Sequence, residues 1–244
     1  MPYSKAFFDL QIHFARAAAN LIDLPIERTL LDYTNIYVRL GLDRAFDPEH
    51  PLWRRYMDGL GQAADMSDWT YDFYLARAEK ARERSMTSTF GCFSYVMQDA
   101  GCVRIHFQNV EPLTVSPLRA DRLPERLSEL RAMFDHIKRN HKDAARVVGT
   151  SWLYNLLAYQ RCVPEGYIAS ARIAGPRFRN MSLWGQFLDR HGGVRPGIAA
   201  EFIRRLSTTT NIRDLADTFP LQALAVEAPI AQFYSFYGLE AGAG

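Results

Sequence analysis

Residues with the right chemistry to bind an anion gather where a predicted helix follows a predicted strand. Ser116, Arg119 and Arg122 lie in or near the first turn of a helix that begins near Asp121. A helix N-terminus presents unpaired backbone N–H groups and partial positive charge, which stabilise a phosphate or pyrophosphate. The glycine-rich loop that would make such a site specific is absent, because residues 111–117 contain no glycine. The alternative is an ordinary capped helix with a solvated basic first turn.

Histidines offer a base but no metal pair. His106 lies on the polar side of a predicted strand, where it can act as the base for an amine nucleophile or serve as a hydrogen-bonded structural group. His136 and His141 are five residues apart on one helix, so their side chains diverge instead of forming the four-residue metal pair. No metal site is expected.

A series of aromatic, amide and basic residues follows the last predicted strand. Such a series can line a pocket for an acidic or aromatic ligand, or it can simply pack a loop-rich region. In the first case, Trp152, Asn155 and Arg161 are the candidate substrate contacts. The full series is Trp152, Asn155, Tyr159, Arg161, Tyr167, Arg172 and Arg177.

Composition sets the class of protein. With 244 residues, of which 48% are hydrophobic and 23% charged, the chain can bury a sizeable core. A net charge of +2, without a long run of like charges, gives no case for a nucleic-acid or anionic-membrane partner. The N-terminus lacks a signal-peptide core, and no apolar run approaches the roughly 18 residues that span a bilayer. The protein is therefore expected to be soluble and cytoplasmic.

The middle of the chain predicts a small sheet. Alternating apolar residues from Cys102 to Val110 predict a strand, with residues 90–97 as its hairpin partner. A hairpin centred on Ala100 places Cys102 opposite Gln98, so the cysteines flanking the turn are not expected to form a disulfide. An amphipathic helix follows from about residue 121 to 141, and a third strand lies within residues 144–151.

Helical patterns flank this sheet on both sides in the sequence. The prediction is an α+β fold with a helical region over residues 1–85, a small mixed or antiparallel sheet with helices over 86–180, and C-terminal helices over 181–244, together forming one compact unit. Residues 221–237 are predicted to be helical with a break at Pro229.

Residues from about 100 to 170 resemble the C-terminal part of GNAT-type acyltransferase domains. The resemblance rests on the runs VRIHFQNVEPLTVSPL and VVGTSWLYNLLAYQRCVPEGY, with the amphipathic helix between them. Ser151, Trp152 and Leu153 match the Ser-Trp-Leu segment of a bacterial branch, and Val163-Pro164 stands where that branch has Leu-Pro.

The resemblance implies a cofactor and a catalytic acid. It implies an acyl-coenzyme A thioester held between two splayed strands, with its pyrophosphate at the following helix near Ser116, Arg119 and Arg122. It also implies a tyrosine that protonates the departing thiolate, for which Tyr154 and Tyr159 are the candidates. The alternative for each tyrosine is a core aromatic residue with its hydroxyl hydrogen-bonded.

Two functions follow from these observations. The first is a GNAT-like acyltransferase that moves an acyl group from acyl-coenzyme A to an amine of a small molecule or peptide. The second is a non-catalytic ligand-binding or protein-interaction protein that retains the fold, with its C-terminal aromatic residues at an interface. A homodimer is compatible with either function. The aromatic residues in question are Phe233, Tyr234, Phe236 and Tyr237.

Overall fold

The computed structural model describes residues 2–82, 90–98, 101–110 and 116–239, with the backbone alone described at 78–82. The chain divides into two compact units. The first unit combines Met1–Met86 with Pro176–Leu221, and the second combines Thr87–Gly175 with Gln222–Gly244. The C-terminal region expected as one set of helices therefore contributes to both units.

The secondary structure is α+β. The α-helices are α1 (Lys5–Ile22), α2 (Ile26–Tyr33), α3 (Ile36–Arg39), α4 (Pro51–Gln62), α5 (Met66–Arg82), α6 (Leu123–Asn140), α7 (Leu157–Gln160), α8 (Glu165–Ala169), α9 (Met181–Trp184), α10 (Pro196–Thr208) and α11 (Ile230–Phe236). The strands are β1 (Phe93–Gln98), β2 (Cys102–Phe107), β3 (Arg146–Ser151), β4 (Arg172–Ile173) and β5 (Leu224–Pro229). Short 3₁₀ helices span Ala120–Arg122, Trp152–Asn155, Gly185–Phe187 and Ile212–Thr218. Within the described ranges, no helix is long and apolar enough to cross a membrane.

The first unit is helical and is built around aromatic rings. The ring of Phe14, on α1, lies 5.5 Å from that of Trp184, 5.7 Å from that of Phe202 and 5.2 Å from that of Phe219, and all four residues are fully buried. Edge and tilted ring contacts of this kind add to the free energy gained from burying the rings themselves. This aromatic core holds α1, α9 and α10 together within the unit.

The second unit contains a five-stranded mixed sheet in the order β1-β2-β3-β5-β4. The hairpin prediction is confirmed, because β1 and β2 pair antiparallel with Gln98 opposite Cys102. Gly101 completes the turn at a φ of 67°, a left-handed conformation that glycine adopts without strain. All three cysteines are free and buried.

Two strands of this sheet part from one another. β2 and β3 run parallel, as a connection through α6 requires, and they pair only over Cys102–Arg104 and Arg146–Val148. Each strand continues for three further residues, to Phe107 and Ser151. Over these residues β2 stays paired with β1 and β3 stays paired with β5. The sheet therefore contains a gap between β2 and β3 beyond their paired ends.

The prediction of helix over residues 221–237 was wrong in its first half. Residues Leu224–Pro229 form β5, which pairs antiparallel with the whole of β3. Val226 and Ala228 are buried while Glu227 is exposed, the alternation of a half-buried strand. The helix resumes after Pro229 as α11, because a proline is well suited to the residues just before or at a helix start.

The core of the second unit lies between the sheet and its helices. Phe134, on α6, stacks on Phe233 of α11 at 4.7 Å between ring centroids and on Tyr237 at 5.4 Å. Phe233 and Tyr237 are buried, so these two aromatic residues belong to the core, and the interface hypothesis is wrong for them. Tyr234 is half-buried, and Phe236 is 44% exposed.

Candidate functional site

The gap between β2 and β3 is bordered by tyrosine hydroxyl groups. Gly149 lies on β3 just beyond the last residue paired with β2. A Cβ atom at this glycine would lie 1.8 Å from the Tyr154 hydroxyl oxygen and 2.6 Å from that of Tyr167. Only glycine leaves room for these two hydroxyl groups against the strand. The segment after β3, which folds back as the 3₁₀ helix Trp152–Asn155, places Tyr154 there.

Tyr154, Tyr159 and Tyr167 form a buried group, here called the tyrosine cluster. The hydroxyl groups of Tyr154 and Tyr167 are 3.1 Å apart and hydrogen-bonded. The ring of Tyr159 lies 5.4 Å from that of Tyr154, in an edge contact. All three residues are at most 2% exposed. Both tyrosines predicted as catalytic acids therefore lie in one cluster, and Tyr167 is a member that the resemblance did not single out.

Burial raises the pKa values of the tyrosine cluster. Loss of solvent, followed by the neighbouring Tyr167 hydroxyl, raises the pKa of Tyr154 well above its usual value. Loss of solvent likewise raises the pKa of Tyr159 and Tyr167. The Arg104 guanidinium acts in the opposite direction on the pKa of Tyr154 and Tyr167. These phenols are therefore neutral hydrogen-bond donors at physiological pH.

His106 lies on the other face of the sheet from the tyrosine cluster. Successive residues of a strand point to opposite faces. Ile105 and Phe107 contribute to the core of the second unit, and the Phe107 ring lies 5.7 Å from that of Tyr159. His106, between them on β2, is exposed. The structure thus does not bring the predicted base and the predicted acids together on one face.

The predicted pyrophosphate contacts lie at the start of α6. Ser116 is exposed, and its carbonyl oxygen accepts a hydrogen bond from the Arg119 backbone N–H at 3.3 Å. Arg119 donates two hydrogen bonds to the Asp121 carboxylate, at 3.1 and 3.0 Å. Arg122 donates one to Glu125 at 2.6 Å. Both arginines therefore already pair with carboxylates, and residues 111–115 lie outside the described residues.

A crevice at the start of α6 brings together two predicted site residues that are distant in sequence. Arg119 and Arg161 both line it, together with Arg126 and Cys162. Its volume is about 10 Å³, close to the room that one water molecule needs. Burial raises the pKa of the Cys162 thiol to about 11. The crevice therefore has the right charge for an anion but is too small for a phosphate group in this conformation.

The buried arginine of this crevice, Arg126, was not among the predicted site residues. Arg126 is 1% exposed, and its guanidinium contacts Glu129 at 2.9 Å and the Cys92 sulfur at 2.7 Å. Glu129 also accepts a hydrogen bond from the backbone N–H of Cys92 at 3.1 Å. A charged side chain on the apolar stripe of an amphipathic helix was the available signal, because Arg126 lies four residues before the buried Leu130.

The residues of the aromatic and basic series make different local contacts. Asn155 donates hydrogen bonds to the Trp152 and Gln222 carbonyl groups, at 2.8 and 2.9 Å, so its amide ties backbone segments together. Trp152 is half-buried and Arg161 is exposed. Arg172 pairs with Glu227 at 3.6 Å on the sheet. Arg177 belongs to the first unit. The other members of the series belong to the second unit, so the series is divided between the two units.

Comparison of the chain with models of protein families, with curated proteins and with solved structures found no match. In the part of the chain that the structure describes, no group of three or more His, Cys, Asp or Glu side chains is arranged to hold a metal ion.

Proposed function

We propose that the second unit is a cytoplasmic GNAT-like acyltransferase that moves an acyl group from acyl-coenzyme A to an amine of a small molecule or peptide. The observation that carries the proposal is the gap between β2 and β3. These parallel strands pair over Cys102–Arg104 and Arg146–Val148 and then part. Beyond that point their facing backbone N–H and C=O groups can pair with an amide-bearing chain. The pantetheine arm of coenzyme A is such a chain.

The residues bordering the gap suit the transfer step. The amine nitrogen forms a bond to the thioester carbonyl carbon, the carbon–sulfur bond breaks, the amine loses a proton and the thiolate gains one. Tyr154 is the proposed proton donor, because its hydroxyl group lies against Gly149 beside the gap. Its raised pKa keeps it protonated at neutral pH. His106 lies on the opposite face of the sheet. It is the proposed base that takes the proton of an amine approaching from that face.

The phosphate end of the same donor is proposed to lie over the exposed start of α6, outside the crevice, which is too small to admit a phosphate group. Arg119 and Arg161 flank its crevice, and the helix N-terminus adds backbone donors. Arg119 and Asp121 are both more than half exposed, so their ion pair contributes only about 0–1 kcal/mol and exchanges readily for a phosphate. Ser116 and Arg122 are the further proposed contacts.

One observation favours the second candidate function. The tyrosine cluster is closed and its hydroxyl groups bond to one another, with Tyr154 and Tyr167 3.1 Å apart. A buried donor that is already satisfied is a typical structural group. A non-catalytic protein that binds a ligand without transferring an acyl group is therefore the alternative to acyl transfer.

The first test is a thermal-shift titration with coenzyme A and acetyl-coenzyme A. At about a hundred times its Kd, a ligand adds roughly 2.7 kcal/mol to the folded state. Hydrogen exchange in the same samples locates the effect, since the proposal expects protection of residues 105–107 and 149–151. Absence of a saturable shift, or protection elsewhere only, would refute the proposed donor site.

The second test separates transfer from binding. Tyr154→Phe is expected to lower turnover about 100-fold, in the range for loss of a general acid, with little change in coenzyme A affinity. Tyr237→Phe is the matched control, because Tyr237 is a buried tyrosine of the same core whose hydroxyl group donates to the Cys162 carbonyl oxygen at 2.6 Å. Equal turnover in the two variants would remove Tyr154 as the proton donor, and coenzyme A binding without any turnover in the unaltered protein would support the binding function instead.

A further inference from the structure

A cleft in the first unit is lined by arginine and aromatic residues. Its walls are the end of α2, the loop of residues 176–180 and the 3₁₀ helix Ile212–Thr218. The volume of about 550 Å³ lies within the range of small-molecule sites. Three arginines line it, Arg177, Arg179 and Arg213, and it is here called the arginine cleft.

The single carboxylate of the arginine cleft is already engaged. Asp32 accepts a close hydrogen bond from Arg179 and also pairs closely with Arg28. Arg179 is held further by a hydrogen bond to the Leu31 carbonyl oxygen at 3.1 Å and by the ring of Phe46, 4.5 Å from its guanidinium carbon. Asp32 and Arg179 therefore form a fixed wall, and Asp32 does not neutralise the other arginines of the cleft.

The other two arginines make no ion pair with the residues that the structure describes. Among the described residues, no carboxylate lies within 4.0 Å of Arg177, which is half-buried, or of Arg213, which is exposed to the solvent of the cleft, whereas Asp32 pairs with Arg28 and Arg179. The two side chains come from different segments, the loop and the 3₁₀ helix. Two unpaired guanidinium groups facing one concave site favour a doubly charged anion, because guanidinium groups bind phosphate oxygens with two parallel hydrogen bonds.

Aromatic rings form the apolar part of the cleft. Tyr33 and Phe178 both line it, and their rings stack at 5.3 Å with an interplanar angle of 22°. Phe178 is fixed from behind by the fully buried Phe14, 5.1 Å away. A preformed, rigid aromatic wall costs little to order when it receives a flat ring.

We propose that the arginine cleft binds a small phosphate ester that carries a flat ring. The phosphate group contacts Arg177 and Arg213, and the ring lies against Tyr33 and Phe178. The site lies wholly within the first unit, so the inference does not depend on acyl transfer by the second unit.

Isothermal titration calorimetry with phenyl phosphate tests the proposal. Saturable binding is expected, and inorganic phosphate and phenol are each expected to bind at least about 10-fold more weakly, the ratio that 1.4 kcal/mol of lost contact produces. Phenol binding as tightly as phenyl phosphate would overturn the role of the arginines. Inorganic phosphate binding as tightly would overturn the ring contact, and no binding of phenyl phosphate at all would overturn the site.

Variants locate the binding. Arg177→Gln with Arg213→Gln is expected to weaken phenyl phosphate binding about 10-fold or more, and each single variant is expected to weaken it in the same direction. Arg55→Gln is the matched control, since Arg55 is an exposed arginine of α4 outside the cleft. Binding that is equal in the control and the double variant would refute the assignment.

The same double variant separates this site from the proposed acyl donor site. Coenzyme A itself carries phosphate groups and a flat adenine ring. A coenzyme A shift that survives in the double variant belongs to the second unit and leaves the phenyl phosphate result to decide the arginine cleft. A shift that is lost in the double variant assigns coenzyme A to the arginine cleft and removes the main support for acyl transfer.

Discussion

The tyrosine cluster and the arginine cleft differ in whether their polar groups are exposed to solvent and in whether those groups are paired. Tyr154 and Tyr167 are closed off from solvent and satisfy each other at 3.1 Å. Arg177 and Arg213 line an open cleft of about 550 Å³ and have no carboxylate partner among the described residues. A neutral hydroxyl group can be buried when one hydrogen bond replaces water, whereas burying an unpaired charge costs far more.

The difference indicates how each region can meet a ligand. The tyrosine cluster must part, or the gap beside it must widen, before a substrate reaches a hydroxyl group. The arginine cleft is already open, and its fixed wall of Asp32 and Arg179 is in place. Slow, selective access is therefore expected at the gap, and fast, salt-sensitive binding at the cleft.

Alkaline pH is expected to produce the largest effect. In the unfolded chain a tyrosine ionises near pH 10, whereas burial raises the pKa of Tyr154, Tyr159 and Tyr167 in the folded protein. The stability from these phenols is full below about pH 10 and is lost above it, by about 1.4 kcal/mol per pH unit for each tyrosine. Urea unfolding between pH 8 and pH 11, by about half-unit steps, measures the slope.

The slope of the free energy of unfolding against pH, above about pH 10, also tests the tyrosine cluster directly. A protein with Tyr154→Phe and Tyr167→Phe is expected to lose stability less steeply above about pH 10, because two raised pKa values are removed. An unchanged slope would mean that these phenols titrate normally, and the cluster would then be open to solvent like the arginine cleft.

Gly149→Ala is expected to cost about 3 kcal/mol, at the upper end for overpacking a core. The new Cβ atom would lie 1.8 Å from the Tyr154 hydroxyl oxygen, so the ring or the strand must move. Gly197→Ala is the control, since a Cβ atom there meets nothing within 4 Å. Guanidinium chloride unfolding compares the variants, and addition of Tyr154→Phe to Gly149→Ala is expected to recover part of the loss. A Gly149→Ala protein with an unchanged free energy of unfolding would contradict the close packing of the cluster.

Asp32→Ala is expected to cost about 2 kcal/mol, the scale of a lost hydrogen bond to a charged group. The change leaves Arg28 and Arg179 without their shared carboxylate, whose side chain is only 18% exposed. Asp58→Ala serves for comparison, because Asp58 is an exposed residue of α4. Equal unfolding midpoints for the two variants would show that the wall of the arginine cleft is not held by Asp32.

Tyr167→Phe is expected to have the smallest effect, about 1 kcal/mol, because one neutral hydrogen bond is lost. Tyr234→Phe is a suitable control, since the Tyr234 hydroxyl group makes no hydrogen bond within the described part of the chain. A double-mutant cycle with Tyr154→Phe isolates the coupling of the two hydroxyl groups. Strict additivity would argue that the 3.1 Å contact contributes nothing.

Within the second unit, local patterns predicted the hairpin of β1 and β2 but not β5. The alternation from Cys102 onward and the glycine at 101 specify a hairpin, and its register has Gln98 opposite Cys102 as expected. By contrast, Leu224–Pro229 carries too short an alternation to be told from a helix segment by its own residues. Pairing with β3 decides its structure, and β3 is more than seventy residues earlier in the chain.

The candidate sites depended still more on long-range contacts. Tyr154 and Tyr159 were named because the resemblance to GNAT-type domains implies a tyrosine acid there, whereas Tyr167 was named only in the aromatic and basic series and not as their partner. The arginine cleft joins Asp32, Arg179 and Arg213 from three distant segments, and no spacing rule links them. Arg177 was singled out, although with residues that belong to the other unit.

The sequence by itself determined the elements whose information is local: the hairpin and its register, the long amphipathic helix before β3 and the lack of a disulfide between Cys92 and Cys102. Tertiary structure alone decided where β2 and β3 part, which hydroxyl groups fill the space beside Gly149 and which arginines meet in a cleft. The physical reason is the separation along the chain between the residues that interact. Backbone conformation and periodicity act between near neighbours in the chain, whereas burial, pKa and charge pairing depend on residues that only folding brings together.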